Sequence, residues 1–171
     1  LWLWFATRDP SMTTQMVGAA SADASSNLGR STWRVERDGP VLAPQLPWER
    51  RCIEAPSVVE RNGRLYMFYA GAYNNEPQQI GVAVSDDGRN WSRLSDRPLL
   101  SNGAPGDWNA CESGHPCVFE DEDGRSYLFF QGNNDRGRTW WLSWVQIEWL
   151  PAGPRIVPFN RSSPLERGSP R

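Results

Sequence analysis

Glu54 and His115 are the side chains of this sequence whose type and setting most suggest chemistry. Glu54 lies in Ile53-Glu54-Ala55-Pro56, followed by Ser57-Val58-Val59-Glu60-Arg61 and the turn Asn62-Gly63. His115 lies in the similar Ser113-Gly114-His115-Pro116, followed by Cys117-Val118-Phe119-Glu120 and a turn at Asp123-Gly124. A carboxyl group between Ile53 and Ala55-Pro56 at the start of an inner strand can keep a proton near neutral pH, since apolar walls disfavour its charged form, and can deliver it to a leaving oxygen. The competing reading is a glutamate ion-paired with Arg50 or Arg51 and without catalysis. For His115 the competing reading is a hydrogen-bonded residue at a strand start.

The remaining inventory excludes several chemistries. All 18 basic residues are Arg, so no Schiff-base lysine and no phosphate-loop lysine exists here. Any Ser/His/Asp or Cys/His relay would have to use the single histidine. Cys52, Cys111 and Cys117 are odd in number and read as mainly buried thiols. Cys111-x3-His115-x-Cys117 matches no common zinc spacing, and strand alternation puts His115 and Cys117 on one side for packing. A net charge of -2 gives no reason to expect a nucleic-acid partner. No stretch is long and apolar enough to span a membrane.

The elements that must position these groups are short strands. Ten Trp, 15 Gly and 14 Pro in 171 residues favour strands and turns over long helices. Leu3-Trp4-Phe5, Met67-Phe68-Tyr69 and Leu128-Phe129-Phe130 recur with a period of roughly sixty residues, within the range of propeller blades. Gln15-Met16-Val17-Gly18-Ala19-Ala20-Ser21 resembles Gln79-Ile80-Gly81-Val82-Ala83-Val84-Ser85, and each is followed by a Trp-bearing strand, at Trp33 and Trp91. Four antiparallel strands per unit are what a β-propeller blade requires, the competing architecture being one open β-sandwich. The expected organisation is all-β: a blade over 1–45 lacking its inner strand, a blade over 50–102 and a blade over 110–157. Residues 158–171, mostly a Pro-, Ser- and Arg-rich run, are expected to be disordered.

About two and a half blades cannot close a ring that needs at least about four, so a fragment of a larger protein is expected. Leu1-Trp2-Leu3-Trp4-Phe5 lacks the features of a signal peptide, and the expected missing N-terminus leaves cytoplasmic and secreted locations both open.

In antiparallel blades the starts of the inner strands and the loops between second and third strands emerge on one face. That face would carry Glu54, Glu112 and His115, with Arg8, Asp9, Tyr73, Asn74, Asn133, Asn134 and Arg136 from the loops as candidate substrate contacts. Carboxylates, amides, guanidinium forks and aromatic faces together suit a carbohydrate. Taken singly, each loop residue is better read as what a turn contains.

Ile53-Glu54-Ala55-Pro56 with Gly63-Arg64-Leu65-Tyr66-Met67-Phe68-Tyr69 resembles the acid-bearing blade of glycoside hydrolase family 43, and Ser113-Gly114-His115-Pro116 with Asp123-Gly124 resembles its last, His-bearing blade. Ile80-Gly81-Val82-Ala83-Val84-Ser85-Asp86-Asp87-Gly88 resembles a segment shared more widely, including by families 32 and 130; families 62 and 68 are further relatives of the same propeller. The resemblance implies a five-bladed β-propeller, of which this chain carries about two and a half C-terminal blades. It implies inverting hydrolysis of arabinose- or xylose-containing polysaccharides or oligosaccharides, with Glu54 similar to the general acid. No cofactor is required, and His115 matches the histidine that in some members helps hold a calcium ion or its waters.

The family's base is an Asp opening an inner strand of the first blade, and another Asp that sets the acid's pKa precedes the Glu blade. Neither has a counterpart at an inner strand here. Arg8-Asp9-Pro10 has the letters of the base motif but follows a second strand, so Asp9 does not inherit that role. Gln131-Gly132 replaces the Tyr-His pair that often follows the last blade's second strand. The fragment alone is expected to be inactive. Alternatives are a propeller that binds glycans without cleaving them, and a family 130-type phosphorylase whose phosphate pocket Arg8 and Arg136 could join.

Overall fold

The computed structural model describes residues 1–157, so the expectation for the tail at 158–171 lies outside the described residues. Among the described residues eleven strands make three antiparallel sheets, with one 3-10 turn beside them. The first contains β1 (Trp2–Arg8), β2 (Gln15–Ser21) and β3 (Arg34–Val35), with the turn at Arg30–Thr32 between the last two. The second contains β4 (Ile53–Arg61), β5 (Arg64–Gly71), β6 (Gln79–Ser85) and β7 (Ser92–Arg93). The third contains β8 (Glu112–Glu120), β9 (Ser126–Asn133), β10 (Trp141–Leu150) and β11 (Gly153–Ile156). In each sheet consecutive strands are neighbours, so all three are meanders, and the all-β expectation holds.

Local chemistry explains the hairpins. Asn62 and Gly63 alone join β4 to β5, both at positive φ (53° and 75°), the backbone of the tight turn whose twist matches paired strands. Asp87 closes the β6–β7 turn by accepting the Arg89 and Asn90 backbone N–H groups, each at 2.8 Å, and these bonds hold its carboxyl far below the usual range. Trp4 and Trp91 both donate their indole N–H to the Gly88 carbonyl, at 3.0 and 2.9 Å, tying the first sheet to this turn.

The sheets stack face to face through two apolar layers. Val17, Ala19, Val41 and Leu42 meet Ile53, Met67, Tyr69 and Ala83 between the first and second sheets. Tyr66, Phe68, Ile80, Val82 and Val84 meet Leu128, Phe130 and Ile147 between the second and third. Alternation along a strand lets the middle sheet feed both layers, with successive residues Met67, Phe68 and Tyr69 pointing to opposite sides. The far face of the third sheet carries Phe119, Leu142 and Trp144, all exposed. The inner strands β4 and β8 lie side by side and β4 also packs on β1 and β2, which brings the start of β4 against its neighbours in both other sheets.

Candidate active site

Glu54 is the second residue of β4, where Ile53 is fully buried beneath it and the strand opens toward the loops. Its carboxylate is gripped from two sheets. Gln78 Nε2, from the segment ahead of β6, donates to Oε1 at 2.7 Å, and Gln15 Nε2, from the start of β2, donates to Oε2. His115 Nε2, from the third sheet, stands 3.5 Å from Oε1 and 3.2 Å from Asn74 Oδ1. No ion pair to Arg50 or Arg51 is present among the described residues.

Both inner strands bulge at this point. Glu54 pairs with Ala70 but Ser57 with Phe68, and Gly114 pairs with Gln131 but Cys117 with Phe129, so each strand holds one residue more than its partner. The extra turn of chain is taken at Ala55 and His115, both at φ 50°, a left-handed conformation that side chains rarely adopt. Pro56 and Pro116 follow them, so the two sheets carry the same device at equivalent places.

The bulge breaks strict alternation. His115 reaches toward Asn74 and Glu54 of the second sheet, whereas Cys117 is exposed beside Phe129 on the other face, so the two do not share a side for packing. Of the three thiols, all free, only Cys52 is buried. Burial first, and then the neighbouring Glu54 charge, push it up to about 12, which leaves an inert thiol.

Glu112 forms the floor next to Glu54. It is fully buried at the start of β8 and accepts the Asn75 backbone N–H at 2.8 Å and the Gln131 amide at 3.0 Å. Burial is the largest influence on its carboxyl and raises it above the ordinary value. Asn133 is buried beside it and accepts the Gly137 N–H at 2.9 Å, shaping the β9–β10 loop. Arg8 donates from Nε to Gln15 Oε1 at 3.2 Å and lies 5.8 Å from the Tyr73 ring centre, so both residues border the Glu54 grip.

The remaining loop candidates are not drawn in. Asp9 accepts the Thr13 and Thr14 backbone N–H groups, each at 2.7 Å, and the Ser11 hydroxyl, and these bonds lower it to about 2 within its own turn. Asn134 and Arg136 are exposed in the β9–β10 loop.

Gln15 and Gln78 are site residues that sequence reasoning passed over. A signal was present: Gln15 stands three residues before Gly18 and Gln78 three before Gly81. Those glycines are equivalent, because each lies under an aromatic ring of the preceding strand, Phe5 at 2.9 Å and Tyr69 at 2.6 Å from where a Cβ would be. Gly114 completes the grip: a Cβ there would overlap Gln78 Oε1 and stand 2.7 Å from its Cδ.

Meandering sheets stacked face to face, with a clamped carboxylate where their inner strands begin, define this chain as blades of a β-propeller. Its relatives are consistent in kind. A β-xylosidase of Xylanibacter ruminicola is 27% identical over 110 residues, 63% of this chain and 32% of that protein. A xylosidase/arabinosidase of Bacteroides ovatus is 30% identical over 99 residues, 57% of this chain and 28% of that protein. The xylan β-1,4-xylosidase structure from Bacillus halodurans C-125 superposes with a TM-score of 0.70 at 15% identity, over 91% of this chain and 30% of that one. The model of glycosyl hydrolases family 43 matches residues 1–150, and the chain belongs to that family. It spans between 24% and 32% of the length of the curated relatives it matches.

Proposed function

We propose that this chain carries the acid-bearing blades of a five-bladed glycoside hydrolase that cleaves xylan- or arabinan-type chains with inversion. The observation that carries the reading is the carboxylate of Glu54, oriented by amides from two sheets and approached by a histidine from the third. Inversion needs a carboxylic acid to protonate the leaving oxygen and a carboxylate about 6.5–9.5 Å away to activate water on the opposite side of the sugar ring. Glu54 takes the first role. The second falls to a residue outside those brought together here, since Asp9 is spent on its own turn.

Gln15 and Gln78 hold one oxygen of Glu54 each and so fix the plane of its carboxyl group, and Glu112 braces the floor through the Asn75 backbone. Arg8, Tyr73 and Asn74 line the position where sugar hydroxyls would be read. Around His115 the oxygen donors are Asn74 Oδ1 and Glu54 Oε1, and no cluster of three His, Cys, Asp or Glu side chains occurs among the described residues. A calcium ion held here would take most of its six to eight oxygens from water, with His115 beside those waters, and no step is routed through a metal.

The test is Glu54→Gln in the protein that contains these blades, assayed on aryl xylosides and arabinofuranosides. Turnover is expected to fall at least about a hundredfold with the fold intact, as for loss of a general acid. Turnover near the wild-type rate removes Glu54 from the mechanism. Binding of xylo-oligosaccharide without any turnover in the wild type selects the glycan-binding reading instead.

A further inference from the structure

We propose that Trp108 and Trp141 form a stacking platform for one sugar ring of a xylan- or arabinan-type chain, a subsite separate from the position at Glu54. The proposal rests on the hydrolase reading above. Trp108, Trp141, Leu142 and Ser143 line a cavity of about 360 Å³ at the end of the third sheet where β8 and β10 begin. Trp108 is held ready: it packs on Phe130 with ring centres 5.7 Å apart, and its ring lies 2.7 Å from where a Gly132 Cβ would be. Only a glycine lets the indole lie this close to the sheet, and its free side stays 37% exposed. Trp141 pairs with Gly132 across the strands and is 58% exposed.

The side of the sheet on which these rings stand decides the occupant. Leu128, Phe130 and Gly132 alternate onto the face turned to the second sheet, and their partners Val145, Ser143 and Trp141 share it. A further sheet packed on the opposite face would cover Leu142 and Trp144 and leave Trp141 open. The platform is also continuous with the polar floor of the site. Gly132 abuts the Glu112 carbonyl, Asn133 pairs with Glu112, and Gly137, held by Asn133, lies against Asn75 and Trp140. Indole faces bounded by a hydroxyl and by amides match a pyranose or furanose ring, which offers apolar C–H faces and a hydroxyl rim.

The experiment measures dissociation constants of the protein that contains these blades for xylohexaose and soluble arabinoxylan, by tryptophan fluorescence and affinity electrophoresis. The variants are Trp141→Ala and, as a control, Trp2→Ala, an exposed indole at the end of the first sheet opposite the Glu54 site. Loss of one stacked ring is expected to weaken Trp141→Ala about tenfold while Trp2→Ala binds as the wild type does. Trp108→Phe, which keeps a ring on Phe130, is expected to fall between them. Equal binding by Trp141→Ala and wild type overturns the platform, as does equal weakening by both alanine variants. Failure of the wild type to bind either carbohydrate also overturns it. Hydrolysis of a short aryl xyloside, which does not reach the platform, reports on the hydrolase reading separately.

Discussion

Arg93→Ala tests how the strand bearing Glu54 is anchored. Glu49, three residues before Cys52, is fully buried and accepts Arg93 Nε at 2.7 Å on one oxygen and Arg93 Nη2 at 2.8 Å on the other. The Tyr69 hydroxyl at 2.8 Å and the Gln45 and Leu46 backbone N–H groups at 2.7 and 2.9 Å complete its coordination. The Glu49 carbonyl in turn accepts the Cys52 and Ala72 N–H groups, each at 3.0 Å, which flank the start of β4 and the end of β5. Removing the guanidinium leaves a buried charge without its counterion, a loss of about 3–5 kcal/mol. The three neutral donors that remain point to the lower end, about 3 kcal/mol, or roughly 6–12 °C in melting temperature for a domain of this size.

The pH dependence has a definite sign. Burial pushes the Glu49 carboxyl up, but Arg93 and the other donors outweigh it and hold the group below its ordinary value of 4.5. A depressed native pKa contributes stability that is complete above the unfolded value and is lost as pH falls through the native one. The gap between wild type and Arg93→Ala is therefore widest at neutral pH and narrows in acid. Urea unfolding followed by tryptophan fluorescence at about pH 7 and about pH 4 measures both gaps. A neutral-pH loss under about 1 kcal/mol, the range of an exposed pair, or a gap that does not narrow in acid would refute the assignment.

Other perturbations probe the site more directly. Gly114→Ala should displace Gln78 and free one side of Glu54, lowering turnover with a stability loss of about 1–2 kcal/mol, read by kinetics beside urea unfolding. Gln78→Leu should reproduce the kinetic effect without steric crowding; unchanged kcat in both variants would show that the amide grip has no part in turnover. Glu112 behaves oppositely to Glu49: burial raises it, so its stability contribution is complete below 4.5 and is lost as pH rises through the native value. Glu112→Gln should flatten that downward slope in unfolding measured across mildly acidic to neutral pH. Asp9→Asn should leave turnover of aryl glycosides within about twofold, since the side chain serves its turn; a large loss would bring Asp9 back into the cleft.

Much of the architecture was legible because it rests on short-range chemistry. Asn62-Gly63 between two β-branched and aromatic runs specifies a two-residue hairpin by itself, and the recurrence of Phe5, Tyr69 and Phe130 marks equivalent second strands. The family likeness of Ile53-Glu54-Ala55-Pro56 likewise resides in contiguous residues. The bulges were not legible, because nothing in Gly114-His115-Pro116-Cys117 announces that one residue will leave the pairing, and strict alternation then assigns the following side chains to the wrong face.

The neighbours of Glu54 show where sequence ends and tertiary structure begins. That a carboxyl group would stand at the head of an inner strand, followed by a hairpin and repeated aromatic strands, was determined by local pattern alone. Its partners lie far off in the chain, Gln15 and His115 in two other sheets, and only the stacking of the three sheets brings them to one carboxylate. The same stacking buries Glu112 and Glu49 and moves their carboxyls in opposite directions, burial prevailing over the amide bonds at one and a guanidinium prevailing over burial at the other. Burial and long-range pairing depend on how the apolar layers close, and no window of sequence holds that information.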